Sequence, residues 1–439
     1  MNLLNWPDWD VLAIHETEHE YRVTATPREP PKACVHCGAV GPGERFGKRP
    51  QVFVDLPVHG KRVGIQVARQ RYRCTACGRT FLEPLADMDE RHGATRRLVA
   101  YIERQALRRT FVSVADDVGL AESTVRRIFG EHTAALEAAR QPATPEWLGI
   151  DEIHLGGKPR CVLTNVQQRT ILDLLRDRNR STVAAFLAGL PAKERVQLVA
   201  MDMWRPYKDA VNTVLPRATI VVDKFHVLRL ASAAMEAIRK DHRSRLDRKQ
   251  RRQLMHDRFI LLKRGRDLAP QEQWILESWM LEFPMLARAY AQKEAFYAIW
   301  ELPDRQAAKE AYGAWLRALP GELEPAFRDL TTAMANWEPE VFAYFDHPIT
   351  NAYTESLNNL IRLTNRIGRG YSFAAIRAKL LYAVAWRPRP TPAFRRPSIL
   401  GRVPVVATGQ PITASPPGVR EDYGASLPVL VKRLSRGPV

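Results

Sequence analysis

The chain has 439 residues, 45% of them hydrophobic, and a formal net charge of +18 from 66 Lys and Arg against 48 Asp and Glu. That length exceeds what one hydrophobic core organises, and the apolar fraction excludes a disordered polyelectrolyte, so two or three globular domains are expected. The positive field favours a polyanion, nucleic acid first, while the acidic opening (Asp8, Asp10, Glu16, Glu18, Glu20) excludes a secretory leader of the usual form and no apolar run nears the roughly 20 residues of a bilayer span. A cytoplasmic protein with no membrane partner is expected.

Residues 1–90 carry four of the five cysteines, too few for a disulfide scaffold in a chain of this size. Cys34-Val-His-Cys37 and Cys74-Thr-Ala-Cys77 are two CxxC turns, each followed by a glycine, Gly38 and Gly78. Two thiolates two residues apart can turn around one metal, and a second such turn completes a tetrahedral site, so a zinc ribbon with one structural Zn2+ is expected. Two unrelated reduced pairs, or a redox pair, are the alternatives, but a redox pair needs no second copy. Between the pairs, Gln51–Pro57 and Arg62–Tyr72 read as strands, with Val63, Ile65 and Val67 alternating and His59-Gly60 at the turn. His36 reads as a neighbour of the metal, and Cys161 as a core residue in a later strand.

Residues 91–142 show apolar residues at helical spacing. Val112–Val118 forms a short helix stopped by Gly119, and Glu122–His132 forms the next, which is the pattern of a helix-turn-helix. In such a unit the second helix would present Glu122, Ser123, Thr124, Arg126 and Arg127 to the major groove of double-stranded DNA. A plain helical hairpin inside a bundle explains the same periodicity.

Residues 143–387 open with Trp147-Leu-Gly-Ile-Asp151, an apolar run ending in an acid. Strands follow at 160–166 and 170–176, a helix at 181–190, a strand from Val196 to Met201 ending at Asp202, a helix at 206–214, and a strand at 219–222 ending at Asp223. Three strands, helix, strand, helix, strand is the order of an α/β, RNase-H-like fold. There the first and fourth strands are neighbours, which brings Asp151 and Asp202 together. A third acid, Glu355, sits on a helix in Asn351-Ala-Tyr-Thr-Glu355-Ser-Leu-Asn-Asn-Leu-Ile-Arg362. Three carboxylates suit Mg2+ (or Mn2+), and two such ions can bind the attacking and leaving oxygens of an in-line phosphoryl displacement. Taken singly, each aspartate also reads as a turn residue or a helix cap.

With these segments in place the chain resembles the DDE transposases of bacterial insertion sequences, in their ISL-three-like branch. The matching stretches are the paired CxxC ribbon, the helix-turn-helix, GIDE at 149–152, MDMWRPY at 201–207, VVDKFHV at 221–227 and NAYTESLNNLIR at 351–362, covering about residues 30–385. The resemblance implies Asp151, Asp202 and Glu355 as the catalytic acids. Asp223 and His226, in Asp-Lys-Phe-His, match a secondary signature of related families; a cap and a locally packed ring explain them as well. The stretch 227–345 looks like the branch's all-helical insertion, and its basic run from Arg239 to Arg266 is read as phosphate-facing. Arg362, Arg366, Arg369 and Arg377 would hold the backbone of the cleaved strand, while Trp204 and Tyr353 are read as packing. The implied activity is binding of terminal inverted repeats and metal-dependent cleavage and strand transfer by a homo-dimer or higher oligomer on the nucleoid. A regulator that no longer cuts, and a structure-selective nuclease of the same fold, are the alternatives. Residues 388–439, rich in Pro and Arg, read as a poorly ordered tail.

Overall fold

The computed structural model describes residues 6–41 and 43–384, so the predicted tail lies outside the described residues. The first sheet is built from β1 (Trp9–Glu16), β2 (Glu20–Pro27), β3 (Glu44–Val58), β4 (Lys61–Arg73), β5 (Thr80–Leu82), β6 (Met88–Asp89) and β7 (Ala94–Thr95). Its order is β1-β2-β4-β3-β7-β6, with β5 paired to β4. Val63, Ile65 and Val67 point to one face and bury against Phe53, Val23, Ala25 and Trp9, the period-2 pattern of a half-buried strand. The β3–β4 turn carries positive φ at both His59 (52°) and Gly60 (76°), the arrangement whose twist matches a two-residue hairpin. β3 begins seven residues before its predicted start, β4 matches its predicted limits to within one residue at each end, and the β1–β2 hairpin was not foreseen. Its exposed Leu12 and Ile14 blur the alternation that marks a strand.

Three helices follow: α1 (Arg96–Ala106), α2 (Phe111–Val118) and α3 (Glu122–Ala138). Thr95 and Thr110 cap the first two by accepting from the N–H of Leu98 and Ser113, each at 3.2 Å. Gly119, at φ 75°, ends α2 and admits the tight turn into α3. Leu98, Ile102, Val114, Val118, Val125 and Ile128 close the core between them.

The second sheet comprises β8 (Trp147–Leu155), β9 (Lys158–Asn165), β10 (Thr170–Leu175), β11 (Leu198–Met201) and β12 (Thr219–Val222), with α4 (Arg180–Ala188) and α5 (Arg205–Val214) between the later strands. Its order is β10-β9-β8-β11-β12. The β8–β9–β10 meander is antiparallel, and β11 pairs in parallel with both β8 and β12. β8 continues four residues past Asp151 to Leu155, so this acid lies inside the strand and not at its end.

From Lys224 the chain is helical: α6 (Lys224–Arg243), α7 (Arg248–His256), α8 (Arg258–Leu262), α9 (Pro270–Glu282), α10 (Pro284–Ile299), α11 (Arg305–Arg317), α12 (Glu324–Asp346), α13 (Ala352–Gly368) and α14 (Phe373–Val384). The sheet and the helices share one apolar cluster that runs from Ile150, Val199 and Met201 through Val227 and Met235 to Phe296, Trp315 and Phe327. The basic run predicted to face phosphate is only partly free. Arg239 is buried, paired with Glu236 at 2.7 Å and donating to the Leu254 carbonyl, while Lys263, Arg264 and Arg266 pair with Glu272 and Glu301. Arg248, Lys249, Arg251 and Arg252 are exposed.

The last described helix, α14, turns back onto the first three. Ala375 and Ala378 enter the α1–α3 core, and Lys379 donates to the carbonyls of Ala106 at the end of α1 and Arg109 in the turn before α2. Arg377 spans the seam, binding Asp173 on β10 and Glu137 on α3.

Candidate active site

Parallel pairing of β8 with β11 sets Ile150 opposite Met201, so the next residues, Asp151 within β8 and Asp202 just after β11, emerge side by side. A carboxylate oxygen of each lies within 4.8 Å of the other and of a ring nitrogen of His226. His226, in the first turn of α6, reaches Asp202 Oδ1 through Nε2 at 2.7 Å and Glu355 Oε1 at 3.7 Å. Its Nδ1 faces Arg229 Nη2 at 3.0 Å. Glu355 comes from the first turn of α13, laid across the sheet, and is the most exposed of the three acids. These side chains line one open cleft of about 500 Å³, with Glu152, His154, Asn358, Asn359, Arg229 and Arg362 completing its wall.

Electrostatics follow from burial. Loss of water and the neighbouring Asp202 charge push the Asp151 carboxyl up to about 7. Burial disfavours the protonated His226 ring, but contact with Asp202 outweighs it and raises this imidazole above its ordinary value. Crowding of the Asp151 carboxylate against its neighbour makes a site that a divalent cation relieves. The donors are hard oxygens, as a hard cation requires.

Asp223 is placed differently. It is fully buried at the N-terminus of α6, where Oδ1 accepts from the Phe225 N–H at 3.0 Å and Oδ2 from the Asn351 N–H at 2.9 Å. An oxygen of Asp223 lies within 4.8 Å of Glu355 and His226, and its two backbone hydrogen bonds cap α6 and tie it to α13.

The four cysteines of the ribbon converge. Cys34 Sγ lies 3.8 Å from Cys77 Sγ and Cys37 Sγ 3.7 Å from Cys74 Sγ. Four thiolates around one zinc at Zn–S of about 2.3 Å would stand about 3.8 Å apart, so the sulfurs match a tetrahedral site. His36 is outside the cluster, its ring turned to the Thr80 carbonyl.

A family model for the DDE-type ISL3 domain, described as transposase, matches residues 148–380. The chain belongs to the ISL3 family of transposases. Two further models match in order: the zinc-finger of transposases IS204/IS1001/IS1096/IS1165 over residues 30–77, and the helix-turn-helix domain of transposase family ISL3 over residues 83–133. Among curated relatives, the transposase for insertion sequence element IS1001 of Bordetella parapertussis is 27% identical over 327 residues, covering 72% of this chain and 80% of that protein. The transposase for IS1557 of Mycobacterium tuberculosis is 25% identical over 283 residues, covering 58% of this chain and 62% of its own.

Helix-turn-helix and transposase domains in one ISL3 chain imply DNA binding, and the predicted contact residues can be placed. On α3, Ser123, Arg126 and Arg127 are exposed and Thr124 is half-buried. Arg126 is drawn back, paired with Glu122 and lying 5.0 Å above the Phe111 ring, while Arg127 reaches the Arg91 carbonyl. Arg362 borders the acidic cleft, Arg366 is exposed one turn further along α13, and Arg369 ends that helix in a left-handed conformation. Arg377 is not available to DNA backbone: Asp173 and Glu137 occupy it. Trp204 is 37% exposed and lies 4.0 Å beneath the Arg178 guanidinium, so it is packed by a cation on one face.

Three residues at the N-cap and along α13 were missed. Asn351, Thr354 and Asn358 are buried on the face turned to β8. Asn351 Nδ2 donates to the Ile150 carbonyl at 3.1 Å, the Thr354 and Thr164 hydroxyls meet at 2.8 Å, and Asn358 Nδ2 donates to Asp151 Oδ2 at 2.7 Å. Their i, i+3, i+7 spacing is a helix face, legible in NAYTESLNN once polar residues are allowed to be the buried stripe.

Proposed function

We propose that this ISL3 transposase binds the terminal inverted repeats of an insertion sequence and cuts and joins DNA at the cleft formed by Asp151, Asp202 and Glu355. The observation that carries this reading is the juxtaposition of Asp151 and Asp202 at the ends of paired residues on β8 and β11, with Glu355 delivered across them by α13. The strand order β10-β9-β8-β11-β12, an antiparallel meander joined to two parallel strands, supports an RNase-H-like core. The division of the chain near residues 90 and 142 into ribbon, reading head and catalytic part belongs to the same reading.

Asp151, Asp202 and Glu355 would hold Mg2+ or Mn2+, two ions when loaded, which supply charge neutralisation and an activated oxygen for in-line attack at phosphorus. The chain's own residues do the rest. Asp202 and His226 form a charge-assisted contact that fixes the Asp202 rotamer. Arg229 and Arg362 line the cleft and place positive charge where a phosphodiester would enter. α3 reads the duplex through Ser123, Thr124, Arg126 and Arg127, the last two only after leaving their present partners. Joining two element ends calls for a dimer or higher oligomer.

Alanine at Asp151, Asp202 or Glu355 should abolish cleavage of a labelled element end while gel-shift affinity for that end is kept. Cleavage surviving in any one of the three removes that residue from the assignment. Transfer of the freed 3′ end to target DNA separates a transposase from a nuclease that only cuts.

A further inference from the structure

Both oxygens of the Asp151 carboxylate are already engaged. Oδ1 accepts from the Glu152 N–H at 2.7 Å, and Oδ2 accepts from Asn358 Nδ2 at the same distance. Asn358 stands one turn beyond Glu355 on α13, is 4% exposed, and sends Nδ2 also toward the Glu152 carbonyl at 3.4 Å. Charge fixes the orientation of this amide, because a flipped Oδ1 would meet a carboxylate oxygen and a carbonyl oxygen, both acceptors. The outcome is that Oδ1 has no hydrogen-bond partner among the described residues although it is buried. A buried amide oxygen without a donor carries a desolvation cost and is uncommon in a folded protein. It is also not in an arbitrary place, since Asn358 forms part of the wall of the acidic cleft with Asp151, Asp202 and Glu355.

We propose that Asn358 is a positioning residue of the metal centre: Nδ2 holds the Asp151 carboxylate in its ligand rotamer, and Oδ1 accepts a hydrogen bond from water carried by the bound cation. A neutral amide suits both tasks. It donates to a carboxylate without cancelling the charge that attracts the ion, and it offers an acceptor without adding a further negative charge beside Asp151, Asp202 and Glu355. The placement also links two acids through one helix, because α13 delivers Glu355 and, a turn later, the group that orients Asp151. This inference rests on the proposed metal-dependent function of the cleft.

The test is direct metal titration of the full chain, by calorimetry with Mg2+ and by electron paramagnetic resonance with Mn2+, after zinc loading of the ribbon. Asn358→Leu is nearly isosteric and removes both polar atoms. The expected result is cooperative unfolding in EDTA with a midpoint near that of the parent protein, and a Kd for Mn2+ raised about 10- to 100-fold, the usual effect of losing a partner that orients a metal ligand. In cleavage assays half-saturating Mn2+ should rise by a similar factor while the rate at saturating metal is largely restored. A residue serving only to pack α13 would give the opposite pattern, with lower stability in EDTA and an unchanged Kd, and that result overturns the proposal. If the leucine variant does not fold, Asn358→Ser decides: a weakened Mn2+ Kd supports the role and an unchanged one removes it. Absence of Mn2+ binding in the parent protein itself would instead remove the metal-site reading on which this one stands.

Discussion

Replacing Gly149 by alanine tests how tightly α13 is set against the catalytic sheet. Gly149 lies on β8 two residues before Asp151 at ordinary negative φ, so backbone entropy alone predicts that alanine stabilises by about 0.5–1 kcal/mol. The surroundings predict the reverse. A Cβ built at this position would stand 2.8 Å from Asn351 Oδ1 and 3.0 Å from Thr354 Oγ1, and closer still to Thr164 Oγ1, where ordinary contact begins at 3.4 Å. All three neighbours are short, buried and engaged with one another, so none can swing away. Relief requires β9 to give way at Thr164, the cross-strand partner of Gly149, and α13 to lift by about half an ångström, which strains the Asn351–Ile150 and Thr164–Thr354 bonds. Overpacking of this kind costs about 1–3 kcal/mol. Because the same movement carries Glu355 and Asn358 off their positions, and catalytic constellations tolerate about 0.5 Å, strand cleavage should fall roughly 10-fold or more. Urea unfolding and single-turnover cleavage of a pre-nicked element end measure the two effects, with end binding as the control. A Gly149→Ala protein that is as stable and as fast as its parent would refute the close packing of α13 on β8.

The zinc site gives a second expectation: one zinc per chain should be released on denaturation, and Cys74→Ser should lower zinc content and raise amide exchange in β3–β5 while leaving α5–α12 protected; full occupancy in that variant contradicts a four-sulfur site. Lys379 is buried, with three aromatic rings about its ammonium, and burial lowers its pKa to about 8. Unfolded lysine titrates near 10.5, so between pH 8 and 10.5 the unfolded chain binds the extra proton and stability rises with pH. The stability of the parent relative to Lys379→Met should therefore increase across that window by up to about 3 kcal/mol, taking 1.36 kcal/mol per pKa unit, and a flat or falling difference would show that the rings and carbonyls stabilise the charge in full. Arg377→Met should destabilise by about 2–3 kcal/mol, less than the 3–5 kcal/mol of a wholly orphaned buried charge because Arg140 remains 2.9 Å from Asp173. Unchanged stability in that variant would mean that the seam between β10 and α3 is held by its apolar contacts alone.

The approach of Asp151 and Asp202 was legible because strand order is a long-range statement written locally. Apolar runs ending at Asp151 and Met201, separated by a meander and one helix, dictate which strands are neighbours before any contact is known. The paired CxxC turns were legible for a similar reason, their chemistry leaving few uses. What escaped was set by tertiary partners. Asn351, Thr354 and Asn358 read as the polar side of an amphipathic helix, since nothing in the sequence announces that β8 offers carbonyls and a carboxylate in place of methyl groups. Arg239 and Arg377 read as DNA contacts because a cation's partner can lie anywhere in the chain; theirs are Glu236 on the same helix turn, and Glu137 and Asp173 far upstream. Asp151 was placed at a strand end because Glu152 and His154 break the apolar run, although both face outward from a strand that continues.

The return of α14 onto the helix-turn-helix also orders events in time. Lys379 meets the Ala106 carbonyl across 273 residues, and Ala375 and Ala378 fill the core that Leu98 and Ile102 began. At about 5–20 residues per second a ribosome needs roughly 14 to 55 s to travel that distance. A nascent chain therefore carries an incompletely packed reading head throughout synthesis of the catalytic part. Fragments from interrupted translation lack the closing helix and should compete poorly for element ends, so occupancy of those ends is weighted toward molecules that can also cut.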